Sequence, residues 1–276
     1  PKKCDSPKLQ GICLHVHGGG WLWGDSHHQV AHRCLEMASS LNAAVVSVEY
    51  SLFCRVNRHS DEKTFDPVND VSIAVDWLES NGAKELNTHP LLVASGESSG
   101  AHLLLLAMLN QRDRAKQLTT QSTTSTWRCL NLVYGVYDIS GTPSIRTDGD
   151  SSSPLCGNDL LWMYDMYYSK AREHIEVTKD GSKQQMDRQN ASLSPLYADL
   201  SHMPPALITT GTADPLLDDS LFLANKYSAC GNHVELAIYE GGEHGIGHFG
   251  VQEDVEMGVR ARRHTIGFMK KYLQNK

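Results

Sequence analysis

Apolar and polar positions fall into blocks along this chain, and the spacing within a block switches between the strand period and the helix period. Gly11 to His17 is a short apolar strand that ends abruptly in Gly18-Gly19-Gly20. Val30, Leu35, Met37 and Ala38 then mark a helix running to about Ser40, with Asp25 or Ser26 as its cap. Ala43 to Tyr50 is a β-branched run, read as a buried strand, and Arg55 to Lys63 is a polar loop. Val68, Val71, Ala74, Val75 and Leu78 recur at helical spacing after Pro67. Leu91 to Ser95 is again strand-like, and after a turn at Gly96 to Gly100 an apolar helix carries Leu103 to Leu106 and Leu109. The Ser- and Thr-rich stretch Gln117 to Thr126 reads as a surface loop, and Leu130 to Gly135 as a strand. From Gly141 to Ser192 the pattern degrades. Polar loops such as Thr147 to Ser153 flank an aromatic segment, Leu160 to Tyr168, and the stretch is expected as an insertion rather than a separate domain. Pro205 to Thr210 is a strand, Leu216 to Cys230 a helix stopped at Gly231, His233 to Tyr239 a strand and Val255 to Leu273 a last helix. Alternating strands and helices predict an α/β fold, a mainly parallel sheet with helices on both faces. The order also suggests one domain, without internal repeats.

Composition narrows the function more than the fold. The chain has 276 residues and is 40% hydrophobic, enough for a substantial core. A formal net charge of −7 argues against a nucleic-acid partner, which calls for a basic face. No apolar run reaches the length of a transmembrane segment. Seven cysteines (Cys4, Cys13, Cys34, Cys54, Cys129, Cys156 and Cys230) follow neither a disulfide nor a zinc spacing, so reduced thiols in a cytoplasmic protein are expected. Asn190-Ala191-Ser192 fits a glycosylation sequon, a pattern that often arises by chance. The chain starts with Pro1 and shows no apolar signal core, and the expectation is that its amino terminus is incomplete.

The chemistry is concentrated where strands end. Gly96-Glu97-Ser98-Ser99-Gly100 between a strand and a helix has the G-x-S-x-G form of a nucleophile elbow, which lifts the Ser98 hydroxyl clear of a sheet. A serine hydroxyl needs a neutral imidazole to take its proton and a carboxylate to fix that imidazole's tautomer. Asp214 stands just after the strand ending at Thr210, and His244 follows the glycine turn after the strand ending at Tyr239. The order Ser98, Asp214, His244 is that of a nucleophile-elbow triad. Asp218 and Asp219 compete with Asp214 but fall inside a helix, and His248 competes with His244. The loop His17-Gly18-Gly19-Gly20-Trp21 offers unobstructed backbone N–H groups for an oxyanion, with Gly19 and Gly20 favoured over Gly18, together with the N–H of Ser99. His17 is expected to brace that loop. Glu97 and Asp138 are expected to orient loops, and Arg112, Asp113, Arg114 and Lys116 to form a solvated helix end. Trp21, Trp23, Trp162, Tyr164 and Tyr167 are candidates for lining the substrate pocket. His27, His28 and His32 lack the further ligands that a metal site needs and read as a solvated face.

On His17 to Trp21, Gly96 to Gly100, Asp214-Pro215-Leu216 and His244-Gly245, the chain resembles the hormone-sensitive-lipase-like group of α/β-hydrolase esterases, which includes arylacetamide deacetylases and microbial carboxylesterases. Ser194-Pro195-Leu196 and Met203-Pro204-Pro205-Ala206 fit the same likeness. The resemblance spans about residue 11 to the end. It implies hydrolysis of short- to medium-chain acyl esters without cofactor or metal, on small-molecule substrates, with residues of about 141–192 as a small cap. Amidase or deacetylase activity on the same machinery is the alternative, as is a non-catalytic small-molecule receptor. Plant gibberellin receptors share this likeness but lack the histidine. Two departures stand out. The family carries a longer amino-terminal region, so its strand order leaves 43–50 here as an apolar sheet edge. Its usual Tyr-Arg-Leu-Ala-Pro-Glu stretch is Tyr50-Ser51-Leu52-Phe53-Cys54-Arg55.

Overall fold

The computed structural model describes residues 8–56, 65–118, 126–147, 155–175, 187–246 and 255–274. Among these, six strands form one wholly parallel sheet: β1 (Ile12–Val16), β2 (Ala44–Val48), β3 (Leu92–Glu97), β4 (Trp127–Val133), β5 (Ala206–Gly211) and β6 (Val234–Tyr239). Their spatial order is β2-β1-β3-β4-β5-β6, with in-register pairs such as Ile12 with Ala44 and Ile12 with Leu92. Parallel neighbours require crossovers, and these are the helices α1 (Ala31–Leu41), α3 (Pro67–Trp77), α5 (Ser99–Leu118) and α8 (Leu217–Ala229), closed by α9 (Val255–Gln274). The short α2 (Phe53–Val56) lies before α3, and a π-helical turn and α4 (Ala83–Glu85) follow it.

Side chains alternate across the strands, so each strand feeds two cores. On β1, Ile12, Leu14 and Val16 join the core beneath α3, α5 and α8, with Val71, Val75, Leu104 and Leu223. Cys13 points the other way, into the core under α1 and α9 with Met37, Leu41, Phe268 and Met269. β2 is an edge strand, as the family's strand order implies, and four of its five residues are only half-buried, unlike the buried strand that its β-branched run suggests.

Two elements differ from their sequence patterns. The first helix begins at Ala31 rather than beside Asp25, and its cap residue, Val30, makes no side-chain cap bond. Asp25 instead accepts the N–H groups of His27 and His28 in a preceding turn. The stretch with degraded pattern holds α6 (Pro143–Thr147) and the long α7 (Gly157–Ile175) between β4 and β5. Leu160, Met163, Tyr164 and Tyr167 make the buried stripe of α7 at helical spacing, while Trp162 is exposed. An aromatic on the solvent side hid that period. Most of the Arg55–Lys63 and Gln117–Thr126 loops, and Thr147–Ser153 beyond its first residue, lie outside the described residues.

Candidate active site

All the sequence-predicted reactive groups sit at one edge of the sheet, the carboxyl ends of β1, β3, β5 and β6. At the end of β3, Ser98 has φ +52°, the left-handed conformation that a sharp strand-to-helix turn imposes on it. Its N–H donates to Val133 O at 2.9 Å, and its carbonyl accepts Ala101 N–H at 3.0 Å as α5 begins. The turn is also tightly packed. A Cβ built on Gly100 would lie 2.2 Å from Val16 O and 2.3 Å from His17 O, so only glycine lets α5 start against the end of β1.

The structure brings Ser98, His244 and Asp214 together. Ser98 Oγ–H donates to His244 Nε2 at 3.1 Å, and His244 Nδ1–H donates to the Asp214 carboxylate at 3.1 and 3.2 Å. The carboxylate, buried, fixes the tautomer in this arrangement: Nδ1 carries the proton, so Nε2 is the acceptor facing the hydroxyl. Asp214 Oδ1 also accepts Leu216 N–H at 2.8 Å, which locks the carboxylate plane. His248 lies outside the described residues.

Asp218 and Asp219 hold no imidazole. Asp219 is fully buried and accepts Tyr137 N–H at 2.6 Å, Asp138 N–H at 2.9 Å and Thr142 Oγ1–H at 2.8 Å. Burial pushes its carboxyl up to about 7, against the pull of those three hydrogen bonds. Asp218 accepts Ser144 N–H at 2.7 Å. Asp138 accepts from Ser140 and from the Tyr197 hydroxyl, a loop-orienting role as expected.

Gly18, Gly19 and Gly20 wall the cleft in front of Ser98, with Gly19 at φ +123° and Gly20 at φ +60°. His17 braces the loop. Its Nδ1–H donates to Gly18 O at 2.7 Å, and its ring stacks on Tyr50 at 4.3 Å between centroids, while the Tyr50 hydroxyl donates to His17 O at 2.9 Å. Burial lowers the His17 pKa, so it stays neutral. Ser99 opens α5, and the first N–H groups of a helix have no intrahelical acceptor.

The cleft in front of Ser98 has a volume of about 170 Å³. Its walls include Trp21 and Trp23 from the glycine loop and Leu160 and Met163 from α7. The other aromatic candidates do not line it. Tyr164 and Tyr167 are buried behind it, Tyr167 stacked on Trp21 at 4.5 Å, and Trp162 faces outward. Tyr134, at the end of β4, does line it and was not singled out from the sequence. The rule that located Asp214 and His244, the carboxyl end of a parallel strand, is the signal that points to it. Glu97 is buried and ion-paired with Arg33, with His15 Nε2 at 3.6 Å. Arg112 is not a solvated helix-end residue. It is mostly buried and donates to Asp199 O and Ser201 O.

Among the described residues no group of three His, Cys, Asp or Glu is placed to hold a metal, and Cys13, Cys34, Cys54, Cys129, Cys156 and Cys230 are free. Among the same residues no helix is long and apolar enough to cross a membrane.

Known proteins match this architecture over most of its length. The model of the α/β-hydrolase fold family matches residues 13–248. An acetyl esterase of Salmonella schwarzengrund is 27% identical over 253 residues, covering 88% of this chain and 67% of that one. Carboxylesterase NlhH of Mycobacterium tuberculosis is 29% identical over 243 residues, covering 86% and 67%. Among solved structures, a hyperthermophilic esterase from Pyrobaculum calidifontis superposes with a TM-score of 0.77 at 25% identity, covering 97% of this chain and 78% of that one. The thermostable carboxylesterase EstE1 from a metagenomic library gives 0.78 at 25%, covering 98% and 82%. The chain belongs to the α/β-hydrolase fold family, and within it to the hormone-sensitive-lipase-like group of serine hydrolases.

Proposed function

We propose that this chain is a carboxylic-ester hydrolase for short- to medium-chain acyl esters, working through an acyl-enzyme on Ser98. One observation carries the reading: a single imidazole, His244, is within hydrogen-bond reach of both the Ser98 hydroxyl and the buried Asp214 carboxylate, at the floor of an apolar cleft. The esterase names of the relatives point the same way.

In this mechanism Ser98 Oγ attacks the ester carbonyl while its proton passes to His244 Nε2. Asp214 keeps Nδ1–H directed and stabilises the imidazolium. The N–H groups of Gly19, Gly20 and Ser99 take up the oxyanion, each such donor contributing about two to three decades in rate. The imidazolium returns its proton to the leaving alcohol. Water, deprotonated by His244, then attacks the acyl carbon and frees Ser98. We assign the insertion of about 141–192 the role of a cap, because Leu155, Leu160 and Met163 from it line the cleft.

Hydrolysis of p-nitrophenyl esters from acetyl to decanoyl, with Ser98→Ala as control, tests the proposal. Activity lost in the variant and an optimum among the shorter chains are expected. Folded wild-type protein without activity on any of them would refute it.

A further inference from the structure

Tyr134 lines the cleft beside Ser98, His244 and Asp214 without a part in their chemistry, and any task it has rests on that triad. Tyr134 is buried and has φ +36°, a conformation bulky side chains rarely enter and keep only where their surroundings enforce it. Its N–H donates to Thr209 O at 2.6 Å. Its hydroxyl donates to Glu97 Oε2 at 3.4 Å, and Glu97 is anchored in turn by the Arg33 guanidinium from α1. Burial and the Glu97 charge push the Tyr134 phenol well up, so it stays a neutral donor. Its ring meets the imidazole of His244 with centroids 4.8 Å apart and planes at 60°. The residue before it, Val133, accepts the Ser98 N–H. One dipeptide at the end of β4 thus holds the serine through its backbone and the histidine through a ring.

The imidazole needs such a contact. Its bonds to Asp214 and Ser98 both act in the ring plane, so rotation about Cα–Cβ and Cβ–Cγ that carries the ring out of that plane is resisted only by what packs on its face. Tilting turns the Nε2 lone pair away from Oγ, and hydrogen bonds weaken steeply as they bend. A ring packed against the imidazole limits that rotation. We infer that Tyr134 is a positioning residue: its ring, seated by the backbone N–H bond to Thr209 O and packed against the imidazole, holds His244 at the angle that aims Nε2 at Ser98.

The test compares Tyr134→Leu, which removes the ring, with Tyr134→Phe, which keeps it. Turnover of p-nitrophenyl butyrate is measured alongside labelling of Ser98 by a p-nitrophenyl alkylphosphonate. In labelling, the Ser98 O–P bond forms, p-nitrophenolate leaves and the serine proton passes to His244. For Tyr134→Leu, kcat and the labelling rate should both fall by about a hundredfold, as for a reacting group displaced by about 1 Å, with KM changed less than about threefold. Tyr134→Phe should restore both to within about fivefold of wild type, which assigns the effect to the ring and not to the hydroxyl bond to Glu97. A folded Tyr134→Leu protein labelled at the wild-type rate overturns the inference while leaving the triad standing. A Tyr134→Phe protein as slow as Tyr134→Leu, or, should the leucine variant not fold, one below a tenth of wild type, also overturns it. Wild-type protein that is not labelled at Ser98 overturns the triad reading and this one with it.

Discussion

Replacing Gly100 with alanine puts the nucleophile turn under a load that can be read from the structure. The new methyl would lie 2.2 Å from Val16 O and 2.3 Å from His17 O, whereas real Cβ contacts essentially never fall under 3.0 Å. Both obstacles are backbone, so no side-chain rotation relieves them. Either α5 or the end of β1 must retreat by at least 0.8 Å, the difference between 2.2 and 3.0 Å. β1 leads into the Gly18–Gly20 loop and α5 begins at Ser99, so the retreat pulls the proposed oxyanion donors away from the serine. Displacements near 1 Å cost about a hundredfold in rate. Overpacking of this kind costs about 1–3 kcal/mol of stability, roughly a 2–5 °C fall in Tm for a chain of this size. The assay is kcat/KM for p-nitrophenyl butyrate well below the variant's Tm, with the melt recorded in parallel. A Gly100→Ala protein within threefold of wild type and melting within about 1 °C of it would show that the turn has slack, and the close-approach argument would fail.

The same geometry sets three further outcomes. Asp214→Asn presents an amide to His244 Nδ1 and favours the wrong tautomer, so kcat should fall about 10³–10⁴-fold with the fold intact; a drop under tenfold in steady-state kinetics would exclude Asp214 as the orienting acid. Met163 packs on Gly20, its Sδ 2.5 Å from where a Cβ would stand, so Met163→Ala should lengthen the preferred acyl chain by about two carbons. Each added buried methylene is worth about 0.8 kcal/mol, or roughly fourfold in kcat/KM, and an unchanged chain-length profile would remove Met163 from the pocket wall. Asp219 titrates at about 7 when folded against 3.8 for a free carboxyl, so the fold binds one more proton than the unfolded chain between those values. Its protonated form contributes stability that is full below about pH 4 and lost as pH rises through about 7, up to roughly 4 kcal/mol in all. Denaturation across about pH 5–8 should show that decline in wild type and a flatter curve in Asp219→Asn, and parallel curves would refute it.

What could be read from the sequence divides along contact distance. The strands and the serine turn were legible because their signals are local: β-branched runs, a glycine on each side of Ser98, a glycine turn before His244. Tyr134 was not, because a lone aromatic after a strand acquires its task only when the loop bearing His244, 110 positions later, folds against it. Asp219 read as an ordinary helix residue for the same reason. The three groups it binds lie 77 to 82 positions upstream. Helix α7 lost its period to one outward tryptophan, which no window can tell from an inward one before the helix is docked.

Those long-range bonds tie two parts of the site together. The segment that begins with Asp214 continues into Asp218 and Asp219, which grip the chain at Tyr137, Asp138, Thr142 and Ser144, while Ser144 Oγ–H donates back to Pro215 O at 2.7 Å. That gripped stretch runs into α6, which packs on α7, whose Leu160 and Met163 line the cleft. Asp214, which bonds His244, and the start of the segment that supplies the pocket wall therefore share one anchor. Loosening that anchor, as by Thr142→Val or Ser144→Ala, disturbs the acid and the wall at once. A change confined to the wall, such as Met163→Ala, acts on substrate fit alone. The anchor variants should accordingly lower kcat across the whole ester series, and the wall variant should redistribute kcat/KM among its members.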